Sequence, residues 1–361
     1  MKHLTTISIF FLLLIIASCN QAETEKFEVY RGTNISHWLS QSDRRGQERG
    51  EWFTEKDMDL IAEAGYDHIR IPVDEEQLWN EAGEKELEAF NLLHNAIAWA
   101  MDRDLKVVVD LHIIRSHHFN EGDRPLWTDP AEQDKFIDLW RQLSEELGKY
   151  PLSEVAYELM NEAVADDPDD WNNLIERAYT EIRKTEPERV IVIGSNRWQS
   201  VNTFPDLKVP GGDPNILLSF HFYHPMVLTH YKASWTPVGQ YTGPVNYPGK
   251  VVPDSAIEDL SGDLRRRVEN WGGNYNIDSM RAEIQPPLEF AREHNLPLYC
   301  GEWGCLPTVP EEDRLAWYSD FRQVLEENNI GWAHWDYKGG FGIVTGDMER
   351  NEELIEVLLG S

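Results

Sequence analysis

The amino-acid sequence predicts a single α/β domain, a (β/α)8 or TIM barrel, and three observations support this prediction. From residue 28 onward, short apolar runs alternate with amphipathic helical stretches, giving eight strand–helix units in about 330 residues. Several runs, such as 107–109 and 191–193, contain only valine and isoleucine, which is typical of parallel strands buried on both faces. The main alternative, a doubly wound sheet, usually has a glycine-rich turn after its first strand, and the Arg-Gly-Thr-Asn of residues 31–34 is no such turn.

The periodicity of the apolar residues sets the boundaries of the predicted elements. After Pro130, apolar residues recur at three- and four-residue steps on one helical face. Thr54 with Asp57 resembles a capping box that opens the first helix. Strands are predicted at 29–34, 68–72, 106–112, 155–161, 190–195, 216–223, 298–303 and 331–335. Further helices are predicted at 86–103, 171–186, 279–294, 311–329 and 350–359.

Two connections depart from the regular spacing. The fifth, at 196–204, is short, whereas the sixth contains a long segment, 224–278, without clear secondary structure. Such a long segment is usually either functional or disordered. Its aromatic residues favour an ordered binding loop, in which they either contact a ligand or hold the loop together. These residues are Trp235, Tyr241, Tyr247, Trp271 and Tyr275.

Composition excludes several classes of protein. A hydrophobic fraction of 41% and an aromatic fraction of 11% exclude a disordered, collagen-like or coiled-coil chain. The 64 acidic and 33 basic residues give a net charge of −31, which repels nucleic acid and anionic lipid, so we expect no nucleic-acid partner. Three cysteines are too few for a disulfide framework.

The amino terminus has the pattern of an export signal. Lys2 precedes an apolar stretch, residues 7–16, that is too short to span a bilayer as a mature helix. Small residues stand directly before Cys19, which resembles a bacterial lipobox. We therefore expect a signal peptide at 1–18, a tether at 19–26 and a catalytic domain at 27–361, exported and attached through a lipid on Cys19 to the cell envelope, at the outer membrane. The alternative is an ordinary signal peptide cut nearby.

Polar residues gather at the predicted carboxyl ends of the strands, where barrel enzymes place their active sites. Two of them, Glu162 and Glu302, are carboxylates on opposite sides of the ring, and glycosidic bond cleavage needs one proton donor and one nucleophile of this type. The alternative is that both are structural carboxylates paired with arginine. The complete set is Asn34, Arg70, His112, Asn161, Glu162, His221, Tyr223, Glu302 and Trp335.

These residues resemble glycoside hydrolase family 5. The segments 157–162 (Tyr-Glu-Leu-Met-Asn-Glu) and 299–304 (Tyr-Cys-Gly-Glu-Trp-Gly) look like the acid/base and nucleophile strands of that family. Arg70, His112, His221 with Tyr223, and Trp335 are similar to the rest of its signature, in order over residues 27–359. The resemblance implies a TIM barrel, hydrolysis of a β-linked polysaccharide with retention, and no cofactor or metal.

The resemblance also implies individual roles. Glu162 would be the acid/base and Glu302 the nucleophile, with their carboxyl groups about 5–5.5 Å apart. Arg70 would keep Glu302 ionised, and burial would raise the pKa of Glu162. Asn161 would hydrogen-bond the 2-hydroxyl of the sugar, and His221 and Tyr223 would orient Glu302 or the sugar. Trp335 would form the floor of the −1 subsite.

Other residues carry weaker predictions. His37 is expected to touch the −2 sugar, with packing of the neighbouring Trp38 on the barrel rim as the alternative. After His112 the sequence departs from the family pattern, which could bring Arg115, His117 or His118 to the glycan, with ordinary loop polarity as the alternative. The His117–His118 pair near Asp123 lacks the further ligands that a metal site needs.

Two further predictions concern buried groups. Glu158 shares a strand face with Glu162 and is predicted to be structural, since a charge inside the barrel needs a partner. Cys300 and Cys305 are predicted to be buried thiols, with a small disulfide as the alternative.

The predicted activity is that of an endo-β-1,4-glucanase. Exo-acting β-glucosidase, β-1,3-glucanase, mannanase and xyloglucanase activities stay open, because subsite loops rather than the barrel determine them. Two further alternatives are a transglycosylase with the same residues and a non-catalytic surface glycan-binding protein.

Overall fold

The computed structural model describes residues 26–345 and 347–360. The predicted signal peptide, Cys19 and the tether up to residue 25 lie outside the described residues. No helix within the described ranges has both the length and the apolar character needed to cross a bilayer.

Eight parallel strands close into a barrel, which confirms the predicted fold class. Each strand pairs with its neighbours in sequence, and the last pairs with the first through Arg31 and Trp332. The strands are β1 (Arg31–Asn34), β2 (His68–Asp74), β3 (Lys106–Ile113), β4 (Val155–Glu158), β5 (Ile191–Gly194), β6 (Ile216–Phe222), β7 (Leu298–Trp303) and β8 (Gly331–His334).

Helices surround the barrel, and most begin close to their predicted positions. Thr54 and Asp57 form the predicted capping box, and Asp129 caps the helix that opens with Pro130. The longer helices are Glu55–Ala64, Leu87–Met101, Pro130–Leu147, Pro168–Arg183, Gln285–His294 and Glu311–Glu327. The shorter ones are Gly46–Trp52, Glu75–Leu78, Met226–Thr229, Asp254–Glu258, Gly262–Trp271, Ile277–Glu283 and Glu352–Leu359, with 3-10 turns at Pro125–Trp127 and Val201–Asp206.

The segment 224–278 is an ordered loop, as predicted. The expectation that it lacks clear secondary structure is wrong. It contains the helix Gly262–Trp271 and a short antiparallel pair, Gly249–Lys250 with Asn274–Tyr275. The helix buries Val268 and packs Leu264 and Trp271 against the core, so these three residues form a short apolar stripe at four- and three-residue steps that the prediction overlooked. Tyr241, Tyr247 and Tyr275 are buried and hold the loop together, whereas Trp235 is 66% exposed.

The core lies between the barrel and its helices and is rich in tryptophan. Trp303, at the end of β7, packs edge-on against Trp332 of β8 with ring centroids 5.1 Å apart. Cys300 and Cys305 are buried free thiols, as predicted. This packing holds the strand ends that carry the candidate site.

Candidate active site

The register of the barrel brings the predicted residues together at the carboxyl ends of the strands. Asn34 pairs with Arg70 across β1 and β2, and His221 pairs with Glu302 across β6 and β7. The register of β6 shifts just before His221, after Phe220, which brings the His221 ring to the carboxylates.

Arg70 lies at the centre of the site and is fully buried. Burial by itself lowers the pKa of its guanidinium, but the charges of Asp110, Glu158 and Glu302 raise it well above the ordinary value, so Arg70 stays protonated. Glu158 therefore has the charged partner that its predicted structural role requires. The contacts of the guanidinium are Glu302 Oε1 at 2.8 Å, Asn34 Oδ1 at 2.8 Å, Glu158 Oε2 at 2.7 Å, Asn161 Oδ1 at 2.9 Å and Asp110 Oδ2 at 2.9 Å.

Glu302 is held at both carboxylate oxygens. Arg70 Nη1 donates to Oε1, and the Tyr223 hydroxyl donates to Oε2 at 3.0 Å. Burial raises the pKa of Glu302 above its usual value, and the charge of Arg70 and the hydrogen bond from Tyr223 oppose this rise. These two contacts favour the ionised form of this carboxyl group.

Glu162 has a different environment. It lies four residues beyond the end of β4, with a left-handed backbone (φ 46°). Its Oε1 lies 2.9 Å from His221 Nδ1, and no arginine bonds it among the described residues. Burial and the nearby charge of Glu302 raise the pKa of Glu162 well above its usual range. Of the two carboxyl groups, Glu162 therefore carries the proton.

His221 faces both carboxyl groups through the same nitrogen. Nδ1 lies 2.9 Å from Glu162 Oε1 and 3.6 Å from Glu302 Oε2. Burial and the charge of Arg70 lower the pKa of His221 well below its usual value, so the ring is neutral. One oxygen of Glu162 and one oxygen of Glu302 lie within 4.8 Å of each other.

The rings of His112 and Trp335 lie against each other in the site. Their rings are parallel, with centroids 5.7 Å apart and an interplanar angle of 8°. Asp110 Oδ2 lies 2.7 Å from His112 Nδ1, and the Gln41 amide lies 3.1 Å from Nε2. Burial lowers the pKa of His112 to about 3, so this ring is also neutral.

Two other histidines predicted to contact the sugar, His37 and His117, lie in different places. His37 has a 37% exposed side chain and approaches Trp335 edge-on, with ring centroids 6.4 Å apart, so it lies at the rim of the site. The prediction that His117 lines a sugar subsite is wrong. Its side chain is 1% exposed, and its Nε2 accepts a hydrogen bond from the backbone of Val164. Its ring therefore supports the loop after β4 from inside.

Three residues of the site were not predicted from the sequence. Gln41 and Asp110 orient His112, and Gln199 accepts a hydrogen bond from the backbone of Glu162 at 3.1 Å. The position of Asp110, two residues before His112 and on the same strand face, was a usable signal for it. Nothing in the sequence indicates the contact of Gln199, which bridges residues 37 positions apart.

The residue types at the centre also suit a metal ion. Within residues 26–345 and 347–360, Glu162, His221 and Glu302 are the one group of three potential ligands close enough together. Arg70 already pairs with one oxygen of Glu302, and the raised pKa of Glu162 favours a protonated oxygen, which is a poor ligand. The arrangement is therefore better suited to proton transfer than to cation binding.

A (β/α)8 barrel with two unlike carboxyl groups at the ends of β4 and β7 has the features of a hydrolase of O-glycosyl bonds. Residues 22–340 match the family described as Cellulase (glycosyl hydrolase family 5). Endoglucanase C of Acetivibrio thermocellus is 32% identical over 337 residues, which cover 91% of this chain and 97% of that enzyme. The chain belongs to glycoside hydrolase family 5 and hydrolyses O-glycosyl bonds.

Two further similarities agree with this membership. Cellodextrinase A of Ruminococcus flavefaciens is 26% identical over 306 residues, covering 84% of this chain and 83% of that enzyme. The crystal structure of a hyperthermophilic endo-beta-1,4-glucanase in complex with substrate is similar with a TM-score of 0.75 and 25% identity, covering 92% of this chain and 97% of that one.

Proposed function

We propose that this enzyme is a retaining endo-β-1,4-glucanase in which Glu302 is the nucleophile and Glu162 the acid/base. The observation that carries the proposal is the pair of carboxyl groups, with oxygens within 4.8 Å and opposite electrostatic environments. Retaining enzymes have carboxyl groups about 5–5.5 Å apart, whereas inverting enzymes need about 6.5–9.5 Å to fit a water molecule.

The first step forms a glycosyl-enzyme. Glu302 attacks the anomeric carbon while Glu162 gives its proton to the glycosidic oxygen, so the bond between carbon and leaving oxygen breaks and an alcohol departs. His221 Nδ1 faces two carboxyl groups, and a proton on this nitrogen stabilises both. Neutral His221 therefore donates to Glu162 Oε1 and leaves the other oxygen to carry the transferred proton.

Asn161 is oriented for the sugar by Arg70. Because Arg70 donates to Asn161 Oδ1, the Nδ2 group points elsewhere, and it has no hydrogen-bond acceptor among the described residues. A buried donor of this kind suits the 2-hydroxyl of the sugar in the −1 subsite, a contact that strengthens in the transition state. Trp335 forms the floor of that subsite, and His37 contacts the next sugar.

The second step reverses the roles at Glu162. Once Glu302 is an ester it no longer carries a charge, and one of the causes that raise the pKa of Glu162 disappears. Glu162 is then a carboxylate that takes a proton from water. The water oxygen attacks the anomeric carbon, the ester bond breaks, and Glu302 is released as a carboxylate with net retention.

The substrate class rests on the relatives. An endoglucanase and an endo-beta-1,4-glucanase are among the similar proteins, which favours internal cleavage of a β-1,4-glucan. The test is reducing-end release by purified 20–361 protein on β-1,4-glucan, β-1,3-glucan, xyloglucan, mannan and xylan, beside Glu302→Gln and Glu162→Gln. Activity on β-1,4-glucan that both substitutions abolish supports the proposal. Retention of polysaccharide without reducing ends indicates a glycan-binding protein, and longer products indicate a transglycosylase.

We propose further that a lipid on Cys19 anchors the enzyme to the outer membrane with its active site facing away from the bilayer. Lys26 O accepts a hydrogen bond from Lys106, the first residue of β3, so the chain enters at the amino-terminal end of the barrel, opposite the carboxylates. Cys19 is seven residues from Lys26, a span of at most about 25 Å. Incorporation of labelled palmitate that Cys19→Ala abolishes supports the anchor, and labelling that persists in this variant contradicts it.

A further inference from the structure

The turn after β5 folds back into the barrel beside Glu162. Arg197, Trp198 and Gln199 all have left-handed backbones, with φ of 53°, 62° and 49°. Gln199 is 1% exposed, and Gly194 at the end of β5 makes room for it. A Cβ on Gly194 would lie 2.3 Å from Gln199 Cγ, so the two residues fit each other.

This turn, residues 196–199, holds the segment that follows β4 through hydrogen bonds to Glu162, Ala163 and Ala165. At one end of the turn, the side-chain amide of Asn196 bonds both the N–H and the C=O of Ala165. At the other end, Gln199 bonds the backbone of Glu162. The bonds are Ala165 N–H to Asn196 Oδ1 at 2.9 Å, Asn196 Nδ2 to Ala165 O at 3.0 Å, Trp198 N–H to Ala163 O at 3.2 Å and Glu162 N–H to Gln199 Oε1 at 3.1 Å.

The orientation of the Gln199 amide is determined by its other partners. Its Nε2 donates to Glu158 Oε1 at 3.2 Å and to Ser219 Oγ at 3.0 Å. Glu158 in turn is bonded to Arg70, which holds Glu302. One buried amide thus joins the backbone of Glu162 to the ion-pair network of the other carboxylate.

The backbone of Glu162 needs such support. A non-glycine residue with φ of 46° is in a sparsely populated region and persists only where its surroundings hold it. Without Gln199 Oε1, the N–H of Glu162 would lose its hydrogen-bond partner. Rotation of this peptide unit moves the carboxyl group, and a misplacement of about 1 Å can cost about 10²-fold in rate.

We propose that Gln199 is a positioning residue that holds Glu162 in its left-handed conformation and so keeps its carboxyl group aimed at the glycosidic oxygen. The proposal rests on the assignment of Glu162 as the acid/base. It predicts a much larger defect in proton transfer than in nucleophilic attack, because Gln199 bonds the backbone of Glu162 directly and reaches Glu302 only through Glu158 and Arg70.

The test compares two substrates that differ in their need for a proton. Cellotetraose releases an alcohol and needs the acid, whereas the phenolate of 2,4-dinitrophenyl β-cellobioside departs without one. Since kcat/KM reports the steps up to formation of the glycosyl-enzyme, Gln199→Met should lower it about 10²-fold for cellotetraose and less than about threefold for the dinitrophenyl substrate. Equal losses on both substrates, or none, would overturn the proposal.

Three variants make the result unambiguous. Glu162→Ala must show the same substrate difference, and its failure to do so would refute the acid/base assignment rather than the role of Gln199. Gln77→Met removes another buried amide, which bonds Arg49 at 2.8 Å, and should leave the ratio of the two rates unchanged. Gly194→Ala displaces the Gln199 amide without removing it and should reproduce the selective loss, so a folded Gly194→Ala enzyme with equal losses also contradicts the proposal.

Discussion

The two sides of the active site hold the same chemical group in opposite ways. Glu302 lies within strand β7, and charged and hydroxyl donors bond both of its oxygens. Glu162 lies beyond the end of its strand and has a left-handed backbone conformation. The neutral ring of His221 bonds its carboxyl group, and Gln199, 37 residues away in the sequence, bonds its backbone N–H. The comparison teaches that environment, not residue type, separates a carboxylate suited to attack from a carboxylic acid suited to donate.

The largest expected effect comes from a substitution of Glu302, the carboxylate that is bonded at both oxygens. Glu302→Gln removes the attacking oxygen and should lower kcat/KM on β-1,4-glucan by about 10⁴-fold or more, while the protein stays folded. The matched control is Glu146→Gln, which removes a carboxylate of the outer helix Pro130–Leu147 that pairs with Lys85 and should leave kcat/KM unchanged. Wild-type turnover in purified Glu302→Gln would refute the assignment.

The next effect concerns stability. Arg70→Met leaves Asp110, Glu158 and Glu302 buried without their shared cation, and should lower the free energy of unfolding by about 3–5 kcal/mol in urea titrations. The exposed pair of Arg141 with Asp138 provides the control, since Arg141→Met should cost less than about 1 kcal/mol. Equal losses in the two variants would show that Arg70 does not hold the site together.

A smaller effect is expected in the pH profile of kcat/KM, whose acid and basic limbs report the two carboxyl groups separately. Activity requires ionised Glu302 and protonated Glu162, so kcat/KM should fall below the pKa of the first and above the pKa of the second. The hydrogen bond from Tyr223 lowers the pKa of Glu302. Tyr223→Phe should therefore move the acid limb about one pH unit upward and leave the basic limb in place. Movement of the basic limb alone would reverse the assignment.

The last prediction concerns stability rather than activity and tests Asp74, a buried carboxyl group outside the arginine network. Asp74 accepts a hydrogen bond from Gln41 N–H at 2.7 Å, and burial raises its pKa to about 7. Because the folded state holds this proton more tightly than the unfolded chain does, the contribution of Asp74 to stability is lost as pH rises through about 7. The Tm of Asp74→Asn should thus fall less than that of wild type between pH 4.5 and pH 8, and an identical fall would contradict this reading.

Sequence periodicity was sufficient for the barrel and for the strand-end residues. Each parallel strand presents its last polar side chains at one edge, so Arg70 and Glu302 could be placed together without coordinates. His117 was misplaced because the direction of a loop side chain depends on what packs above it, here Val164. Gln199 was missed because its partner Glu162 is 37 residues away and its inward direction depends on three left-handed residues.

The most direct test of the double displacement is to trap the glycosyl-enzyme. A 2,4-dinitrophenyl 2-deoxy-2-fluoro-β-cellobioside slows both steps, but its good leaving group lets the first proceed, so the ester accumulates and peptide mass spectrometry locates it. We expect one fluorocellobiosyl group per enzyme, on Glu302, and none on Glu302→Gln. A label on Glu162, or no label together with α-anomeric first products in NMR spectra, would contradict the account.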